Sequence, residues 1–424
     1  MNPREASGTP AAREADPGAR QASCPACGAA YRFRPANLGR RSTCRQCGQA
    51  FYLLPPSANP PTVVFLEEPE ETEYARQLTG RLWLYLRPGQ ILADDFLVLR
   101  PLGRGGLSQV FQVRDRRRNL DLAVKLPQAA SLDRLPREVF INEAAAWLKP
   151  ARHPNLVACD QVRLHHDQPM IFMEYIQGLD ISRLAADGRG ELYQGPFQTS
   201  CLRLLDILIQ VARGLEYAHS LGLCRLDLKP RNVLVERGGR ALIGDYGPLD
   251  GPPPRPEPRT LEVAGDPVPD QKTALTGTRL LGTPQYFSPE AAAGRTDLGP
   301  DADLWALALT ALECFLGRRP WETGSVAGLA LEQYLAEAPR PTYLPLGLKD
   351  YFRQALAPRP EDRFQDAAAA AKRLAEIYAE TAGQPYDRLP ARAAEETPES
   401  LARKQASLKE LEGLRAADCQ TPRV

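Results

Sequence analysis

The chain has 424 residues, 43% of them hydrophobic, and single cores stop growing near about 250 to 300 residues, so we expect a large body plus smaller modules. Its 53 Lys and Arg balance 52 Asp and Glu, and the net charge of +1 argues against bulk attraction to nucleic acid or anionic membranes. The longest apolar stretch, 304–316, is shorter than the roughly 18 residues of a membrane span, and residues 1–20 lack the apolar core of a signal peptide. We therefore expect a soluble, cytoplasmic protein.

Changes in composition divide the chain into successive segments. Residues 1–21 are rich in small, charged and proline residues and are predicted to be disordered. Residues 22–54 hold two cysteine pairs, and residues 55–87 form a linker that is first proline-rich and then acidic. Residues 88–380 carry strand-like and then helical patterns, and residues 381–424 form a charged tail with a predicted helix over 398–416.

The cysteine pairs of the second segment are Cys24 with Cys27 and Cys44 with Cys47, separated by sixteen residues. Two such Cys-x-x-Cys pairs let four thiolates converge tetrahedrally on one Zn²⁺. Two disulfides or a redox pair are the alternatives, and a cytoplasmic setting disfavours disulfides. The segment resembles a small bacterial zinc ribbon.

Arginines alternate with Tyr31, Phe33 and Phe51 in the same segment. This pattern is compatible with a basic, aromatic surface for nucleic acid. We favour a solvated face on a small β-module whose aromatic residues form its core. A protein-interaction or dimerisation role stays open.

The largest segment, 88–380, predicts strands over 91–102 and 110–114 on either side of a glycine-rich turn. Helices are predicted over 136–148, over 202–221 with an amphipathic pattern, and over 304–316 with an almost wholly apolar pattern that requires burial. Strands followed by helices predict an α+β body of two lobes.

The glycine-rich turn comprises Gly103, Gly105, Gly106, Ser108 and Val110. Small residues let backbone N–H groups approach phosphates closely. An ordinary glycine hairpin is the alternative. A lysine on the next apolar strand, Lys125, follows fifteen residues after Val110 and favours the phosphate interpretation.

Further along, Asp227 is followed by Lys229 and Asn232, and Asp245 precedes Tyr246 and Gly247. The order of glycine turn, lysine, helix glutamate, Asp with Asn five residues later, and Asp-aromatic-Gly resembles bacterial eukaryotic-like (Hanks-type) Ser/Thr protein kinases. The resemblance covers about residues 88–378. It implies a two-lobed protein kinase-like fold, with a β-rich N-lobe and an α-rich C-lobe, that uses ATP and Mg²⁺.

The resemblance also assigns catalytic roles. Lys125 would contact the α- and β-phosphates and be held by Glu143, with Glu138 as the alternative. Asp227 would accept the proton of a substrate Ser or Thr hydroxyl, with Lys229 at the γ-phosphate and Thr283 within reach of both. The Mg²⁺ ligands would be Asn232 and Asp245.

For the nucleotide, the resemblance implies Met173 as gatekeeper, Glu174 to Ile176 as the backbone hinge for adenine, and Ala123 and Leu234 on the two faces of the ring. Each of these is otherwise an ordinary core residue. Deeper support would come from Asp303 beneath the catalytic loop and from Arg363 paired with Glu290.

The chain departs from the family pattern at Arg225 and Leu226, where these kinases carry His-Arg, and in residues 248–272, which contain eight prolines. The proline-rich insertion is either a tolerated surface loop or a site for a proline-reading partner. These departures leave three hypotheses: a Ser/Thr kinase that also phosphorylates itself, an ATP-binding pseudokinase acting as a switch or scaffold, and a zinc-ribbon nucleic-acid protein with a kinase scaffold.

Overall fold

The computed structural model describes residues 20–23, 30–33, 41–43, 45–46, 50–52, 64–65, 86–104, 108–127, 137–165, 168–185, 191–224, 227–245, 283–295, 297–336, 344–388 and 395–420. The chain divides into two compact units. The first comprises Met1–Gly105 and Gln109–Leu122, and the second comprises Gly106–Ser108 and Ala123–Val424.

The first unit begins with short antiparallel strands. Strand β1 (Arg20–Ser23) pairs with β2 (Ala30–Phe33), and β3 (Arg41–Thr43) pairs with β4 (Ala50–Tyr52), which also pairs with β5 (Val64–Phe65). The predicted zinc ligands Cys24, Cys27, Cys44 and Cys47 lie outside the described residues.

The same unit continues with the antiparallel strands β6 (Ile91–Leu92), β7 (Phe96–Arg104) and β8 (Ser108–Asp115). The stretch predicted to be β-rich over 91–102 forms two strands, because the chain turns between β6 and β7. Ala93 and Asp94 adopt positive φ values of 45° and 65° there, a conformation outside the extended region.

Strand β9 (Leu120–Pro127) runs from the first unit into the second. In the second unit, β10 (Cys159–His165) pairs antiparallel with β11 (Gln168–Glu174), and β11 also neighbours β9. Helix α1 (Arg137–Leu148) packs against β10 and β11. A separate three-stranded sheet consists of β12 (Gly178–Asp180), β13 (Val233–Glu236) and β14 (Ala241–Ile243).

The remaining α-helices are α2 (Ile181–Ala185), α3 (Phe197–Ser220), α4 (Pro289–Ala292), α5 (Pro300–Leu316), α6 (Leu331–Ala336), α7 (Leu346–Ala355), α8 (Ala367–Ala382) and α9 (Pro398–Gln420). Single 3₁₀ turns occupy Glu191–Tyr193, Pro230–Asn232, Pro284–Tyr286, Gly324–Val326 and Pro360–Asp362.

The predicted helices are confirmed, with shifted ends. The amphipathic helix α3 begins before the predicted Leu202, and α9 ends at Gln420 rather than Ala416. The apolar helix α5 is buried along nearly its whole length and packs against α3, which in turn packs against α8. Within the described part of the chain, no helix has both the length and the apolar character that crossing a membrane requires.

A polar hub joins α3 to β14. The Asn155 amide donates to Gln210 Oε1 on α3 at 3.1 Å and to the Ala241 carbonyl at 2.9 Å, while Gln210 Oε1 also accepts from the Ala241 N–H at 2.9 Å. Gly214 lets α3 approach closely, since a Cβ there would lie 2.8 Å from the Asn155 carbonyl oxygen. The hub fixes β14 immediately before Asp245.

Candidate active site

The centre of the site is Lys125 on β9, which lies between two carboxylates. Its ammonium donates to Glu143 Oε1 at 2.5 Å and also pairs with Asp245 Oδ1. Burial of Lys125 by itself lowers its pKa, but the carboxylates of Asp245 and Glu143 outweigh this and raise the pKa above the usual value. The lysine is therefore a permanent cation held between β9, α1 and the end of β14.

Asp245 reaches Lys125 because β14 ends beside Asn232. The Gly244 N–H donates to the Asn232 carbonyl at 2.7 Å, so Asp245 and Asn232 lie at the same end of the β13–β14 pair. Their side chains offer carboxylate and amide oxygens, which are the ligands that Mg²⁺ prefers. The chemistry of this donor set fits the cation that the sequence predicts.

Asp227 is held by three donors from two segments. Its Oδ2 accepts from Lys229 Nζ at 2.7 Å and from Asn232 Nδ2 at 3.2 Å, and its Oδ1 accepts from the Thr283 hydroxyl at 2.6 Å. Lys229 Nζ also lies 2.6 Å from Thr283 Oγ1. The arrangement fixes one oriented carboxylate beside a cation and a hydroxyl, a geometry suited to accepting a proton from an incoming hydroxyl.

The residues expected around adenine lie on strands β9, β11 and β13 or just after β11. Ala123, Met173 and Ile176 are buried, and Leu234 is half-buried. The Glu174 carboxylate accepts from Arg240 at 2.7 Å, and its backbone N–H donates to the Ala158 carbonyl at 2.9 Å, which anchors the segment after β11.

The glycine-rich turn is only partly described. Gly105 and Gly106 lie outside the described residues, while Gly103 and Val110 pair in the β7–β8 hairpin of the first unit. Ser108 lines a small cavity with Lys125 and Glu143. Arg225, Leu226, Tyr246 and Gly247 also lie outside the described residues, and of Glu138 only the helical backbone is described.

One buried ion pair and one hydrogen-bonding contact of a buried carboxylate with a half-buried histidine lie among the helices. Arg363 binds both oxygens of Glu290, at 2.7 and 2.9 Å, and its guanidinium stacks 4.7 Å from the ring centre of Trp305. Asp303 lies 2.9 Å from His219 Nε2. Burial alone would raise the pKa of the Glu290 carboxyl, but its hydrogen bonds from Arg363 hold that pKa below the usual value.

Sequence reasoning missed several of these supporting residues. His219, Arg240, Asn155 and Gln210 carry no local pattern that distinguishes them from ordinary helix or loop residues, and their contacts with Asp303 (from His219), Glu174 (from Arg240) and Ala241 (from Asn155 and Gln210) join positions between 31 and 86 residues apart along the chain. Among the described residues, no cluster of three or more His, Cys, Asp or Glu could hold a metal.

Residues 96–373 match the family model of the protein kinase domain. The chain is 30% identical over 295 residues to the serine/threonine-protein kinase PknF of Mycobacterium tuberculosis, a match that covers 66% of this chain and 55% of PknF. It is 26% identical over 290 residues to the probable serine/threonine-protein kinase PknB of Lactococcus lactis, covering 66% of this chain and 41% of PknB. The chain thus spans about half, or less, of the length of these relatives.

Among solved structures, a double mutant of the Mycobacterium tuberculosis PknI kinase domain aligns with a TM-score of 0.50 at 24% identity, covering 69% of this chain and 99% of that chain. At this identity the likeness concerns the fold alone. Together with the family match, it confirms the predicted two-lobed α+β fold with a sheet-rich N-lobe and a helical C-lobe.

The pH dependence of unfolding tests the role of the Glu290–Arg363 pair. Glu290→Gln should lower the free energy of unfolding at pH 7 by about 3 to 5 kcal/mol, because Arg363 keeps a buried charge without its partner. Since the folded-state pKa is depressed, the stabilisation is present above the unfolded-state pKa of about 4.3 and is lost as pH falls through the folded-state pKa. The difference between wild type and variant should therefore shrink in acid.

Thermal unfolding of the full chain between pH 7 and pH 3 measures this difference. Asp362→Asn, which removes the exposed partner of Arg359, is the matched control and should change little at any pH. A difference for Glu290→Gln that is as large at pH 3 as at pH 7 would contradict the assignment.

Proposed function

The chain belongs to the protein kinase family, and from this premise we propose that it is a serine/threonine protein kinase that transfers the γ-phosphate of ATP to protein hydroxyls, its own included. The observation that carries the proposal is the pairing of two clusters in one unit. Lys125 bridges Glu143 and Asp245, and Asp227 is bound by Lys229 and Thr283.

The proposed division of labour follows from charge. Bound ATP with Mg²⁺ supplies the phosphoryl group and the counter-charge for its oxygens. Lys125 orients the α- and β-phosphates, Asn232 and Asp245 hold the cation, and Lys229 faces the transferred group. Asp227 positions the acceptor hydroxyl and takes its proton, while the hinge at Glu174 to Ile176, with Ala123, Met173 and Leu234, receives adenine.

Support for Ser or Thr as acceptor comes from Thr283. Its hydroxyl contacts both Asp227 and Lys229, so the segment that follows it, with the 3₁₀ turn Pro284–Tyr286, begins at the carboxylate that receives the substrate proton. A protein segment that extends along this turn would present its hydroxyl to Asp227.

Transfer of labelled γ-phosphate from ATP and Mg²⁺ to a generic basic protein, and to the chain itself, tests the proposal. Asp227→Asn and Lys125→Met should each lower transfer by at least about 100-fold, the scale of losing one group that stabilises transition-state charge. Lys149→Met, at an exposed lysine just past α1, is the matched control and should keep wild-type activity.

Wild-type transfer no greater than that of Asp227→Asn, with ATP still raising the melting temperature, would replace the proposal by an ATP-binding pseudokinase. Arg225 and Leu226, which stand where these kinases carry His-Arg, would then be the first positions to examine as the cause of the missing activity.

We further propose that the N-terminal segment is a zinc ribbon. The two strand pairs β1–β2 and β3–β4 support this, because the stretches that join them, 24–29 and 44–49, have equal length and each carries one Cys-x-x-Cys pair at its start. Two Cys-x-x-Cys pairs, each at the same sequence position after a strand, offer four thiolate ligands to one tetrahedral cation.

Metal analysis of the purified full chain should find one zinc per chain by this proposal. Cys27→Ser and Cys47→Ser should each lose it, whereas Cys419→Ser, which lies outside both pairs, should retain it. Zinc-free wild-type protein whose four thiols are oxidised to disulfides would overturn the ribbon.

A cytoplasmic location and protein partners complete the proposal. Cys159, Cys201 and Cys314 are buried and not disulfide-bonded, as expected in a reducing compartment. Protein substrates are the principal partners, and the ribbon and the proline-rich segment 248–272 are the proposed sites for other proteins.

A further inference from the structure

The C-terminal helix α9 binds the segment that carries Glu143. Ser400, Lys404, Ser407 and Leu411 are all buried and recur at spacings of four, three and four residues, which places them on one helix face. That face packs against strand β10 and helix α1. The opposite face, with Gln405, Lys409 and Glu412, is exposed.

Ser407 satisfies the backbone of an edge strand. Its Oγ accepts from the Val162 N–H at 2.9 Å and lies 2.9 Å from the Val162 carbonyl oxygen. Strand β10 forms an edge of its sheet, where backbone groups lack a neighbouring strand. One hydroxyl on α9 thus takes the place of a strand partner and fixes the register between α9 and β10.

Lys404 fixes the other end of the contact. Its buried ammonium donates to the Pro150 carbonyl, just past the end of α1, at 2.9 Å and pairs with Glu396. Burying a lysine is costly unless its charge is compensated, so these partners define where α9 can bind. The neighbouring Arg403 adds an ion pair at 2.9 Å to the buried Asp160 on β10.

The docked helix helps to enclose α1. Seven residues of α1 are buried: Phe140, Ile141, Glu143, Ala144, Ala146, Trp147 and Leu148. A helix covered by strands on one side and by α9 on another cannot rotate without breaking these contacts. Glu143, which pairs with Lys125, lies on this enclosed helix.

The tail is also anchored to the helical part of the same unit. Tyr386 and Arg388, which follow α8, bind the carboxylate of Asp206 on α3 at 2.7 and 2.6 Å. Arg213 on α3 stacks over the Tyr386 ring at 5.3 Å. Tyr386 and Arg388 therefore bind α3, and residues 400–411 bind the α1–β10 segment.

We infer that this tail is a built-in positioning element: docking of Lys404 and Ser407 holds α1 so that Glu143 stays paired with Lys125, and release of α9 lowers phosphoryl transfer. The inference rests on the proposed kinase function and names its regulation. Lys404 and Ser407 are positioning residues, because they act on the site only through α1.

The test uses the full chain with Lys404→Ala and Ser407→Ala combined, with Lys409→Ala on the exposed face of α9 as matched control. Release of α9 should lower kcat/KM for ATP by about 10-fold to 100-fold, the scale expected when a catalytic group is displaced by about 1 Å. The KM for the protein substrate should stay unchanged. Amide hydrogen exchange in residues 137–148 should become faster in the double variant. Lys404→Arg, which keeps the charge, should be more active than Lys404→Ala.

Activity and α1 exchange equal to those of Lys409→Ala would overturn the inference while leaving the kinase proposal intact. If wild type transfers nothing above the Asp227→Asn background, the kinase proposal fails. The inference is then decided by ATP affinity and α1 exchange, and unchanged values in the double variant refute it. Should the double variant not fold, the single Ser407→Ala variant is measured in the same way.

Discussion

The buried ammonium of Lys125 is the interaction on which the rest of the site depends. A lysine in this position is unfavourable unless carboxylates compensate it. Glu143 and Asp245 do so from two different directions, one from helix α1 and one from the end of strand β14. The fold must therefore bring α1 and the end of β14 within hydrogen-bonding distance of β9 for the buried charge of Lys125 to be compensated.

Strand β14, helix α1 and the Asp227 cluster are each held by their own contacts. Strand β14 is held by Asn155 and by Gln210 on α3, and Asp245 follows the strand after Gly244. Helix α1 is held by the sheet and by α9. The Asp227 cluster is fixed by Lys229, Asn232 and Thr283. In the proposed kinase, phosphate binding and proton acceptance are thus carried by two clusters that meet at Asn232, and the tail acts on the first of them.

The sequence predicted the long elements well and the supporting contacts poorly, for physical reasons. Helices α3 and α5 have strong apolar patterns over many residues, so their existence was predictable. The turn at Ala93 and Asp94 has positive φ without glycine and left no such pattern. The docking face of α9 consists largely of polar residues such as Lys404 and Ser407, so hydrophobic periodicity predicts the helix but not its partner. The resemblance to the kinase family identified the candidate site residues. Their supporting partners are distant along the chain and are brought to them only by the folded structure.

A double-mutant cycle between Lys125 and Glu143 tests the central claim most directly. The kcat/KM for ATP would be measured for wild type, Lys125→Ala, Glu143→Ala and the double variant. If the two residues act as one unit, the double variant should be little worse than the poorer single variant, with a coupling of at least about 1.4 kcal/mol. Losses that add to within about 0.5 kcal/mol would show that the pair does not control catalysis and would contradict the account.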